Sequence, residues 1–93
     1  MTTTTTWTIE FPLPKGQPLL KESEVRFESP WVMREGCNPS KVVLHERIGD
    51  HHYHRYAVHT AHFREGEWHL AQGSYHHDLN TAHMEWEQRA RTL

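Results

Sequence analysis

His51-His52-Tyr53-His54-Arg55-Tyr56-Ala57-Val58-His59-Thr60-Ala61-His62-Phe63, then Arg64-Glu65-Gly66, then Glu67-Trp68-His69-Leu70-Ala71-Gln72-Gly73-Ser74-Tyr75, is the stretch whose reading decides the fold. Aromatic and β-branched residues alternate with polar ones on both sides of a Gly-containing connection, which is the short-range signature of a β-hairpin. Two registers remain open. A two-residue loop at Glu65-Gly66 sets Phe63 against Trp68 and His62 against His69, whereas a three-residue loop with a bulge at Gly66 sets Ala61 against His69.

Upstream, residues 41–48 alternate, with Val42, Leu44 and Ile48 on one face and Val43, His45 and Arg47 on the other. Gly49-Asp50 supplies a tight turn into the hairpin. Val25 and Phe27, flanking Arg26, mark a shorter strand over 24–28; Pro30 interrupts it and Trp31-Val32-Met33 resume it as an edge, before a turn over 35–40. Pro12, Pro14, Gly16 and Pro18 make 12–18 a loop. Before that loop, Trp7, Ile9 and Phe11 alternate with Thr6, Thr8 and Glu10 as a half-buried strand, with residues 1–4 a frayed threonine tail.

Downstream the period changes. Leu79, Ala82, His83, Trp86, Ala90 and Leu93 recur at three and four residues, so 79–91 is expected to be an amphipathic helix with Asp78 or Asn80 as its N-cap. A run of strands followed by one helix gives an α+β fold: an antiparallel β-sheet of four to five strands, a meander in its C-terminal half, with the C-terminal α-helix packed on one face. Ala57, Ala61, Ala71 and Gly73 are small enough for the helix to approach the sheet closely. The opposite face is left to loops, a partner or water.

The chain has 93 residues and forms a single domain, and with 35% hydrophobic residues its core must be thin. Four Trp, three Tyr and three Phe supply the large pieces of that core. The lone Cys37 cannot form an internal disulfide, which suits a reducing compartment, and no segment reads as a leader or membrane span, so a cytoplasmic location is expected. The formal charge is −2 with ten neutral histidines, and Lys and Arg are scattered, so neither a nucleic acid nor a membrane partner is expected.

Histidine is the unusual component. With Gly49-Asp50 as the tight turn, His45 opposes His54, His52 shares a face with His54, and His76 or His77 arrives from the return strand, so His45, His52, His54 and His77 form a candidate site for a divalent transition metal. Against this stands the ordinary role of histidine as polar sheet surface. No established metal motif is present either. A small metal-dependent or histidine-based enzyme is a further alternative, but no nucleophile, base and orienting group are placed together by spacing, and glycine-rich phosphate loops are absent.

Trp68 and Trp86 fit core positions by their spacing, while Trp31, Met33 and Arg34 fall together beside a broken strand and Tyr53, Arg55 and His59 lie on the hairpin. Residues of these types carry interface energy. The favoured reading is therefore a non-enzymatic protein that acts by protein–protein contact, such as an inhibitor or accessory protein of a phage or mobile element, needing no cofactor. A homo-oligomer is compatible with this reading.

Overall fold

The structure is a computed structural model and describes residues 14–49 and 53–93. Four strands, β1 (Ser23–Glu28), β2 (Ser40–Arg47), β3 (Tyr56–Arg64) and β4 (Glu67–His76), precede one helix, α1 (Leu79–Thr92). The sheet is an antiparallel meander in the order β1-β2-β3-β4 with α1 against one face, an α+β fold. The strand expected over 5–11 lies outside the described residues, as do Asp50, His51 and His52. Trp31-Val32-Met33 does not extend β1; Val32 forms a single antiparallel bridge to Ser40.

The two-residue register holds in the central hairpin: Phe63 opposes Trp68 and His62 opposes His69. Glu65 and Gly66 have φ of 54° and 83°, the paired positive values of a type I′ turn, whose twist matches that of the strands it joins. Further along, the ladder slips between Val58 and Thr60, and Gln72 takes up the extra residue at φ 54°. Gly73 follows the bulge because the His59 ring lies against it. A Cβ there would sit 2.6 Å from His59 Nε2. Since His59 is held between His45 and Tyr75, with ring centroids at 6.2 and 5.8 Å, it has little room to give. Gly73→Ala is expected to destabilise the domain by about 1–3 kcal/mol, the usual cost of overpacking, as a lowered thermal midpoint.

The connection from β2 to β3 differs from the tight turn expected at Gly49-Asp50. Glu46 pairs with Tyr56 and the Arg47 amide donates to the Arg55 carbonyl at 2.7 Å, so the connection is longer and β3 begins at Tyr56. His45 consequently opposes Ala57, not His54. The reason is burial. This register sets Leu44 against Val58, where the tight turn would have set it against Arg55, and a three-residue shift changes which side chains share a face.

Val42, Leu44 and Val58 form the core under α1 with Ala82, all fully buried, and Tyr56, Leu79, Trp86, Ala90 and Leu93 close around them. Ala57 and Ala61 lie on the other face of the sheet, and the small residue buried in the contact from the helix side is Ala82. Asp78 caps the helix, accepting from the Thr81 amide at 2.9 Å. Trp86 Nε1 donates to the Val42 carbonyl at 3.0 Å, and Phe27 of β1 meets the Trp86 ring at 5.6 Å between centroids. Beside this core, Arg89 donates to Glu85, Ser74 and Thr60, while His76 Nε2 lies 2.6 Å from Glu85. Burial pushes the Glu85 carboxyl up, but hydrogen bonds from His76, Ser74 and Arg89 together hold it below its ordinary value.

The second face is not open to solvent, as one helix alone would have left it. Val43, His45, Ala57 and Ala61 are fully buried on it, and Lys41, His59 and Phe63 nearly so. Pro18, itself fully buried, brings its carbonyl to His45 Nε2 at 3.0 Å, so the chain before β1 crosses this face. The buried Lys41 ammonium pairs with Glu28 and sits 4.5 Å over the Trp68 ring.

Candidate functional site

The two ends of the sheet carry different groups of side chains. β2 runs from Ser40 to Arg47, about 24 Å at 3.4 Å per residue, and the expected interface residues divide between its ends. Tyr53 lies at the Arg47 end, with Arg55 3.9 Å from Glu46. Trp31, Met33 and Arg34 lie at the Ser40 end. His59 belongs to neither, being buried in the second face.

The histidines proposed as ligands divide in a similar way. His54 and His77 come together, their rings 6.3 Å apart with Tyr53 against both at 4.7 and 5.7 Å. His45 is buried beside His59 under Pro18, and His52 lies outside the described residues. Among the described residues no three His, Cys, Asp or Glu side chains are grouped to hold a metal ion.

At the Ser40 end the antiparallel register brings two loops together. Ser40 opposes His62, and the Phe63 amide donates to the Pro39 carbonyl at 2.8 Å, so the loop before β2 lies beside the turn after β3. Residues 33–39 form one bank and residues 63–66 the other, and they enclose an open groove of about 860 Å³. Gly36, at φ 78°, lets the first bank turn back on itself, with the Cys37 amide donating to the Arg34 carbonyl at 2.9 Å. Arg34 also donates to the Leu93 carbonyl, tying this bank to the end of α1.

The groove is apolar below and charged above. Met33, Pro39 and Phe63 supply carbon surface, and Trp68 backs Phe63 at 5.2 Å between centroids. Arg34, Glu35, Arg64 and Glu65 stand on the two banks, and Cys37 is exposed between them. Trp31, Val32 and Met33, exposed by 41, 40 and 45%, extend the apolar surface beyond the groove. Among the described lining residues there is a thiol and no imidazole.

The sequence groups Trp31, Met33 and Arg34, but it does not bring Phe63, Arg64 and Glu65 beside Met33 and Arg34, because those three read as hairpin and turn. Only the pairing of Ser40 with His62 shows that the two loops share one end. Among the described residues no helix is long and apolar enough to cross a membrane. No protein-family model matches the chain, and comparison with curated proteins and with solved structures gives no match.

Proposed function

We propose that this is a non-enzymatic binding protein that acts through protein–protein contact, with the groove between residues 33–39 and 63–66 as its docking site. The observation that carries the reading is the groove itself: about 860 Å³, floored by Met33, Pro39 and Phe63, and continuous with exposed Trp31 and Val32. That volume falls within the range of formed ligand sites, roughly 300–1,000 Å³, and exposed apolar surface bordered by charge is the usual mark of an interaction site. Met, Trp and Arg are also residue types suited to an interface. An inhibitor or accessory protein works through such a surface without chemistry of its own.

Cys37 places a probe inside the site. A photoactivatable cross-linker attached to its thiol should capture partner protein in an extract of the source cells, and Met33→Glu should lower the yield at least tenfold while leaving the fold intact. A tenfold loss corresponds to about 1.4 kcal/mol, a modest demand for a charge placed in an apolar contact. Equal capture by both proteins would move the docking site elsewhere on the surface.

A further inference from the structure

We propose that residues 14–22 form a strap that lies closed over the second face of the sheet at neutral pH and lifts off in mild acid, with His45 as the switch, while the sheet and α1 stay folded. The strap is shallowly held. Of these residues only Pro18 is buried, Pro14 and Leu20 are half-buried, and the others are exposed, Leu19 by 71%. It belongs to no strand of the sheet. Among the described residues it is tied down by the Pro18 carbonyl at His45 Nε2, 3.0 Å, by Gln17 Nε2 donating to Glu28 at 2.7 Å, and by the Glu22 carbonyl accepting from the Ile48 amide at 2.8 Å. A segment with so little buried surface opens locally at a lower cost than the strands beneath it.

His45 lies fully buried under that one buried residue. Because the Pro18 carbonyl accepts from Nε2, the neutral ring carries its proton there and its Nδ1 is bare. Protonation adds an N–H at Nδ1, which is buried and has no partner among the described residues. The surrounding charges do not compensate it. β1 contributes Glu28, already paired with Lys41 of β2. β3 contributes His59, its ring centroid 6.2 Å away. β4 contributes Tyr75, which lies against His59 at 5.8 Å with the Arg47 guanidinium of β2 over its ring. The Arg89 charge of α1 acts on His59, and the strap itself carries exposed Lys15, Lys21 and Glu22. Burial under the closed strap outweighs the Pro18 carbonyl and Glu28 and holds the ring below the ordinary value of 6.5, whereas lifting Pro18 returns it to water. Closure is therefore fully supported above 6.5 and weakens below it, the open fraction rising by up to about tenfold per pH unit. Opening bares His45 with the fully buried Val43 and Ala57 beside it, so acid turns a covered face into an exposed apolar one.

A nitroxide at residue 19 of the full chain, attached through Leu19→Cys with Cys37→Ser, reads the position of the strap by nuclear magnetic resonance. At about one pH unit above 6.5 it should broaden the Val43 and Ala57 amide signals; at about one unit below, those signals should recover roughly threefold or more in intensity. The α1 amides and the Trp86 indole should keep their dispersion at both values, because the core under the helix is untouched. His45→Gln, whose amide donates to the Pro18 carbonyl but takes no proton, should stay broadened at both. The parent supplies a reading independent of that variant: its His45 ring signals should titrate over the pH range in which the strap is released. Equal broadening at both pH values in the parent, release that persists in His45→Gln, release that does not follow the His45 titration, or loss of α1 dispersion together with the strap would each overturn the proposal.

Discussion

Trp86→Ala is expected to remove about 3–5 kcal/mol of stability, a large share of the 5–15 kcal/mol typical of a domain and lowering the thermal midpoint by more than about 12 °C. The effect is large because, among the described residues, α1 is the single helix on its face of the sheet and Trp86 is its broadest contact there. The indole meets Phe27 at 5.6 Å and His83 at 5.5 Å, and it donates to the Val42 carbonyl at 3.0 Å. Truncation removes the ring contacts and the hydrogen bond together, and the neighbouring Ala82 and Ala90 have no volume with which to fill the gap. Tyr53→Ala is the matched control. Tyr53 is 77% exposed and meets only His54 and His77 among the ring contacts of described residues, so its loss should change stability by less than about 0.5 kcal/mol. Equal midpoints for the two variants would mean that the helix does not rest on Trp86.

Acidification should give the second large effect, through His45 and His59. Burial holds both imidazoles below the ordinary histidine value; for His59 the neighbouring His45 and Arg89 act in the same direction. For His45 the Pro18 carbonyl and the Glu28 charge favour the protonated ring but do not overcome burial. Among the described residues the Nδ1 atoms of both rings are buried without a hydrogen-bond partner, so an added proton finds no acceptor there.

Because both values are lowered, the unfolded chain binds more protons than the folded one below the ordinary value of 6.5, and stability falls with pH there. The contribution is fully present above that value and is lost as pH drops toward the folded values. Each ring adds a slope of at most about 1.4 kcal/mol per pH unit, so stability should fall continuously as the pH is lowered through 6.5. Urea midpoints across this range measure the slope. His45→Gln, which keeps a donor for the Pro18 carbonyl but takes no proton, should flatten it by about half; identical slopes would place the acid sensitivity in other groups.

The sequence by itself determined the central hairpin and α1. The change from a two-residue to a 3.6-residue period after Tyr75 marks α1, and Asp78 or Asn80 marks its cap, of which the structure uses Asp78, because these signals lie within a few residues of chain. Glu65-Gly66 likewise marks the turn, although the type I′ form had to be chosen from two registers. Tertiary structure decided how the elements face one another. Gly49-Asp50 has the local chemistry of a tight turn, yet the strands pair three residues away from it, because burying Leu44 against Val58 under Ala82 outweighs what a turn dipeptide contributes. That shift separates His45 from His54. The covering of the second face, through Pro18 against His45, removes His59 from the surface. The groove arises in the same way: residues 33–39 and 63–66 are far apart in sequence, and they meet because the antiparallel pairing of Ser40 with His62 is fixed by the apolar side chains of the whole β2–β3 ladder, a long-range sum that no local stretch of sequence records.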